Sequence, residues 1–148
     1  MNSVVLRAVA RTMTPVLLQL SLVLLVRGHN APGGGFVGGL MTSAALILYL
    51  IAYGTGTVRR LVRVSPMKLM AMGLAVTLGT AALPLVTGQP FLRSAWTELS
   101  LPWGGHLALG TPMLFDVGVY LVVVGATLGF ILALAEGEGS EGGGKEDL

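Results

Sequence analysis

Long uncharged stretches alternate with short charged ones along this chain. No residue between Asn30 and Arg59 carries a formal charge, and none does between Lys68 and Arg93. A third uncharged run follows Asp116 and ends at Ala135. The first two gaps exceed the roughly 20 residues needed to cross a hydrocarbon core. A fourth stretch, Thr12 to Val26, is also uncharged, with Gln19 and Ser21 among its few polar positions. It is short for a span, but helix can extend upstream through Val4 and Val5 while Arg7 and Arg11 snorkel to the interface. None of these segments has the continuous polar face that a helix of a soluble bundle requires. The pattern therefore predicts an all-α, polytopic integral membrane protein with four transmembrane helices. They end at Arg27 (first) and cover about Gly35–Ala52, Leu69–Val86 and Met113–Leu134.

Composition agrees with that pattern. The 148 residues are 53% hydrophobic and 11% charged, with a mean hydropathy of +0.81. With no cysteine, disulfide and thiolate chemistry are excluded. Residues 1–135 are expected to form one four-helix transmembrane domain. Residues 136–148, with five acids and five glycines, are expected to be a disordered, solvated tail. The first span imitates a signal peptide, but R-G-H-N-A-P-G-G-G offers no convincing cleavage site and another span follows at once, so a retained helix is expected.

The few charges set the topology. Arg7, Arg11, Arg59, Arg60, Arg63 and Lys68 fall at one end of the spans, and only Arg27 and Arg93 at the other. The positive-inside rule then places both termini in the cytoplasm. The net charge of +2 gives no reason to expect nucleic acid, since the basic residues lie in juxtamembrane loops. Contact with anionic membrane lipids is the modest addition that the Arg59–Arg63 cluster suggests.

The stretch from Arg27 to Gly39, R-G-H-N-A-P-G-G-G-F-V-G-G, joins the first two spans. It does not match G-x-G-x-x-G, and no Lys-Ser/Thr pair follows it, so nucleotide binding is discarded. Gly33, Gly34 and Gly35 allow a sharp turn or close backbone approach, with Asn30, Pro32 and Phe36 completing the loop geometry. Gly34/Gly38 and Gly35/Gly39 are overlapping G-x-x-x-G pairs, which predict close helix packing. In the last span Gly118, Gly125 and Gly129 form a second small-residue face. Asp116, Tyr120 and Thr127 share a face nearly opposite to it. The connection from Phe91 to Pro112, with two tryptophans among glycines and prolines, fits an interfacial hairpin or a short surface helix.

An acid in the first turns of an apolar span is costly unless paired or facing water. Asp116 is thus the foremost candidate for a cation or proton route, with a structural ion pair or a helix-start acid as the alternative. His29 titrates near neutrality when unperturbed and is a candidate proton-exchange group, as against a hydrogen bond to a loop carbonyl. Arg27 is the candidate counter-charge to Asp116 or simply the end of a span. Tyr120 and Thr127 complete the candidate path. His29 and His106 do not make a metal site, which needs three or four ligands. No nucleophile–base pair or cofactor motif occurs, so neither enzyme activity, a cofactor nor a metal is expected.

Two motifs carry a resemblance. Gly28 to Gly39, G-H-N-A-P-G-G-G-F-V-G-G, and Leu114 to Gly125, L-F-D-V-G-V-Y-L-V-V-V-G, resemble the B-type small component of the multisubunit sodium/proton antiporters of the Mrp or Mnh type. The likeness extends from the first span to Leu134. It implies a small subunit of a larger inner-membrane assembly that exchanges cytoplasmic sodium for external protons. The implied partners are other antiporter subunits, including large ones similar to the proton-pumping subunits of complex I. The motif residues His29, Pro32, Gly33, Gly34, Gly35, Phe36 and Asp116 would then serve loop geometry, assembly and ion passage. Related small subunits occur in redox-driven complexes such as membrane-bound hydrogenases, which is one alternative. The residues alone also leave open a self-contained oligomeric channel or transporter, although one intramembrane acid and one sparse polar stripe are little for an autonomous antiporter.

Overall fold

In the computed structural model, residues 4–28, 33–86, 88–90, 96–100 and 106–141 are described. Five helices and one hairpin follow in order. They are α1 (Val4–Arg27), α2 (Gly34–Tyr53), α3 (Thr55–Leu61), α4 (Pro66–Val86), β1 (Trp96–Ser100), β2 (His106–Gly110) and α5 (Thr111–Glu141). α1, α2, α4 and α5 are each long and apolar enough to cross a membrane, so the four expected spans are present. The connection between α4 and α5 contains an antiparallel hairpin, pairing Trp96 with Gly110 and Ser100 with His106. Of the two forms that the broken segment allows, the hairpin is the one adopted.

The neighbour order across the layer is α1–α2–α5–α4. α5 packs most extensively on α4, α2 packs on both α1 and α5, and α1 barely reaches α5. α2 is accordingly the most buried span, and α1 the least. Large apolar side chains such as Leu22, Val23, Leu74, Leu78 and Phe130 are more than half exposed. That outward-facing apolar surface suits lipid or neighbouring subunits and would be unsuited to water.

Helix ends follow local chemistry. Gly33 precedes α2 at φ 90°, a conformation that side chains with a β-carbon resist. Pro112 lies in the first turn of α5, where its missing N–H leaves no intrahelical bond unmade. The basic segment after α2, expected as a plain loop, contains the short helix α3. Its Val58 is fully buried and joins Leu46, Val124, Leu128 and Leu132 in the apolar core cluster. A single inserted valine thus anchors an otherwise exposed basic turn.

α5 also runs past the expected limit at residue 135, reaching Glu141. The first part of the segment expected to be disordered is therefore helical. Within it the Glu136 carboxylate accepts a hydrogen bond from Arg59 of α3 and forms an ion pair with it. Residues 142–148 lie outside the described residues.

A hydroxyl cluster and an acid between three helices

The site is set by how closely the helices approach, and glycine decides that. A β-carbon at Gly35 would overlap the backbone carbonyl of Asp116. One at Gly39 would lie 2.9 Å from Val123 Cβ and 3.2 Å from the Tyr120 carbonyl oxygen. This pair therefore seats α2 on α5. The other pair seats α2 on α1: a β-carbon at Gly34 would overlap Gly28, and one at Gly38 would come within 3.0 Å of the Ser21 carbonyl oxygen. The two overlapping G-x-x-x-G pairs consequently serve two different neighbours. On α5, Gly118 and Gly125 face α4. Their added β-carbons would meet Thr77 and Gly73 at Gly118, and Met70 and Pro66 at Gly125. Gly129 is looser, 3.3 Å from Pro66 Cβ.

With α1, α2 and α5 so close, three hydroxyls meet. Ser21 Oγ of α1 lies 2.6 Å from Thr42 Oγ1 of α2. Thr42 Oγ1 lies 2.6 Å from the Tyr120 hydroxyl of α5. Ser21 donates to the Gly38 carbonyl at 2.8 Å, with Tyr120 at 3.3 Å as the other acceptor in reach. Each hydroxyl has one proton to give. One self-consistent chain of donors therefore runs Tyr120 to Thr42 to Ser21 to the Gly38 carbonyl, with every proton used. Ser21 and Thr42 are buried, so water does not replace these bonds. Ser43, Thr77 and Thr80 contrast with them. Each donates to the carbonyl four residues back on its own helix, as expected for hydroxyls with only a local role.

Asp116 is one helical turn from Tyr120, toward the α1–α2 turn. A β-carbon added at Gly28 would sit 2.8 Å from Asp116 Oδ2, so the carboxylate lies directly against the end of α1. It is not an isolated charge. Arg27 is exposed at the last residue of α1, and among the described residues the two make no ion pair. Thr127, a candidate for the same path, lies instead in a separate gap with Ser43, Leu46 and Ile47 of α2 that is too narrow for water. Phe36 is half exposed on the first turn of α2, away from the cluster. His29, Asn30 and Pro32 lie outside the described residues. No group of three or more metal-ligating side chains occurs among the described residues.

Sequence reasoning places Asp116 and Tyr120 together but passes over Ser21 and Thr42. Ser21 is visible only as a polar exception in an apolar stretch, and Thr42 only as a small hydroxyl. Their common signal is that each sits one turn or less from a glycine-mediated contact, where a hydroxyl can reach a second helix.

Four long apolar helices, held together by glycine contacts, make this a multi-pass membrane protein. Residues 5–129 match the family described as "Domain related to MnhB subunit of Na+/H+ antiporter", and the chain belongs to this family. It is 41% identical to the B-type component of the Na(+)/H(+) antiporter of Bacillus subtilis (strain 168), over 93% of this chain and 96% of that one. A Rhizobium meliloti (strain 1021) protein, named as the probable A/B component of a K(+)/H(+) antiporter, is 39% identical over 86% of this chain, which spans 13% of that protein. Among solved structures, a chain of the Mrp complex from Dietzia sp. DQ12-45-1b matches with a TM-score of 0.76 at 36% identity, covering 89% of this chain and 14% of that chain.

Proposed function

We propose that this chain is a membrane subunit of a multisubunit cation/proton antiporter, and that it both supports assembly and contributes polar groups to the ion route. Family membership and near full-length similarity to the B-type component of a sodium/proton antiporter support the first part. One observation carries the second. Ser21, Thr42 and Tyr120 link three membrane helices through hydroxyls, with the Asp116 carboxylate one turn away. A proton can cross such a chain by concerted hops, each hydroxyl accepting one proton as it gives up its own, after which rotation of the hydroxyls restores the starting arrangement. The Gly38 carbonyl only accepts a hydrogen bond, so the relayed proton leaves from Ser21 to an acceptor beyond this chain of hydroxyls. Asp116 then gathers the cation or proton at the mouth of that path. The glycine contacts keep the helices near enough for the path to be continuous.

The partners are the other subunits of the antiporter, and the exposed apolar faces of α1 and α4 are available to them and to lipid. The two relatives in which this region is a small fraction of a much longer chain support attachment to a large subunit. Both termini lie in the cytoplasm, with the chain in the cell's inner membrane. Arg7, Arg59, Arg60, Arg63 and Lys68 sit at the end of the spans where the tyrosines Tyr49 and Tyr53 stack, 4.5 Å between ring centres, as interfacial aromatics do. Sodium is the exchanged cation on the similarity to the Na(+)/H(+) antiporter proteins. The Rhizobium relative favours potassium as the second reading.

The test is Asp116→Asn in the assembled complex, read as cation-dependent proton exchange in membrane vesicles. Exchange is expected to fall at least tenfold with subunit recovery unchanged. Normal exchange by a fully assembled variant sinks the role given to the carboxylate.

A further inference from the structure

At the basic end of the molecule, away from the hydroxyl cluster, a cleft of about 210 Å³ opens between α3, the segment following it and α5. Its floor is apolar, made by Val58, Leu128 and Leu132, each at most 5% exposed. Its rim is polar and basic, with Arg59, Arg63 and Ser65. Both arginines are exposed. Topology alone asks only that cationic residues be near this end. It does not ask that two of them flank a cleft with a fully buried valine beneath.

We propose that this cleft binds the headgroup of an anionic phospholipid, its phosphate held between Arg59 and Arg63 and its glycerol region resting on the valine–leucine floor. Three observations carry the proposal. The guanidinium fork matches phosphate oxygens in a bidentate manner that a point charge does not. The volume of about 210 Å³ falls below the roughly 300–1,000 Å³ of drug-sized ligand sites and suits a phosphate with its glycerol. The cleft also opens at the end of the spans that carries the stacked tyrosines, where Arg7 stands 6.0 Å over the Tyr53 ring and Tyr53 donates to the Arg7 carbonyl at 3.1 Å, an arrangement typical of a membrane interface. Glu136 is the displaceable counter-ion. Its pairing with Arg59 is exposed on both sides, at 59% and 51%, and an ion pair in that setting is weak. An arriving phosphate therefore competes with the Glu136 carboxylate for Arg59.

The full chain in mild detergent, titrated with phosphatidylglycerol, phosphatidylcholine or inorganic phosphate and read by native mass spectrometry, tests this. Phosphatidylglycerol is expected to be retained over phosphatidylcholine. Arg59→Gln with Arg63→Gln should cut its retention by about fivefold per arginine. Glu136→Gln leaves every basic residue in place, so it cannot disturb insertion through the charge rule, and it should raise retention. Equal retention of the two lipids overturns the proposal, as does displacement of phosphatidylglycerol by inorganic phosphate at matched concentration. Unchanged retention in Glu136→Gln also counts against it and decides the matter if the double variant does not insert.

Discussion

The two ends of this molecule are held together by opposite means. At the end carrying Asp116, helices meet backbone to backbone: Gly34 against Gly28, Gly35 against the Asp116 carbonyl, Gly38 against the Ser21 carbonyl. What fills the remaining space is hydroxyl. At the basic end one such backbone contact remains, Gly125 of α5 against the Pro66 carbonyl of α4, but α2, α3 and α5 meet there through branched aliphatic side chains, Leu46, Val58, Leu128 and Leu132, with an ion pair at the surface. In lipid there is no hydrophobic drive between helices, so both ends depend on packing and polar contacts. The difference lies in tolerance. Aliphatic contacts can be trimmed and can relax, whereas a backbone contact through glycine has no side chain to move aside. The rigid end is also the one that holds the polar groups, which ties ion chemistry to the least adjustable packing in the fold.

The largest effect should follow from Gly35→Leu. A β-carbon there already overlaps the backbone of Asp116, so α2 and α5 must separate along their length, moving Thr42 away from Tyr120. Subunit recovery from membranes is expected to fall to near background, and the assembled complex with it. A Gly79→Leu control, where an added β-carbon meets nothing within 4 Å, should recover normally. If both variants behave alike, close approach is not what holds this end together.

The contrast between the ends is only partly legible in the sequence. Charge-free gaps mark α2 outright, and α1, α4 and α5 over most of their length, because excluding charge from lipid is a per-residue requirement that needs no tertiary knowledge. The two G-x-x-x-G pairs announce close packing, yet they cannot say that Gly34 and Gly38 serve α1 while Gly35 and Gly39 serve α5. The hydroxyl cluster is hidden for a related reason. Ser21 and Thr42 are 21 residues apart and Ser21 and Tyr120 are 99 apart, and no helical period relates residues on different helices. α3 escapes notice because seven residues with one buried valine are too short to show a period. The length of α5 is underestimated because it continues through Gly137 and Gly139, residues whose low helix propensity argues for an end there.

A middle-sized effect is expected from Leu128→Ala at the basic end. Leu128 is 5% exposed and lies between Val58, Leu46 and Leu132 in the core cluster. Truncating a buried leucine costs about 2–5 kcal/mol in a soluble core. The low end, about 2 kcal/mol, is expected here because helices separated in lipid lose little by transfer. The thermal midpoint of the purified chain should drop by several degrees while recovery persists. A collapse like that of Gly35→Leu would mean that the two ends do not differ in tolerance.

The smallest structural effect, and the most informative one, should come from Tyr120→Phe. The ring stays, and only the hydroxyl that lies 2.6 Å from Thr42 is removed. Thr42 keeps its 2.6 Å contact with Ser21, so no buried group is stranded. An interhelical hydrogen bond in a membrane contributes about 0.6 kcal/mol, which predicts a thermal shift barely above error and normal assembly. If the hydroxyls only fasten helices, exchange should be equally undisturbed, because so small a loss scarcely changes the folded population. If they form part of a proton path, removing the hydroxyl at its Asp116 end interrupts the donor chain completely, and exchange should fall about tenfold or more. The two roles thus predict the same stability and opposite activities. Measuring both on one preparation separates a polar clasp from a conduit, and a Tyr120→Phe complex with full exchange would leave the cluster as structure alone.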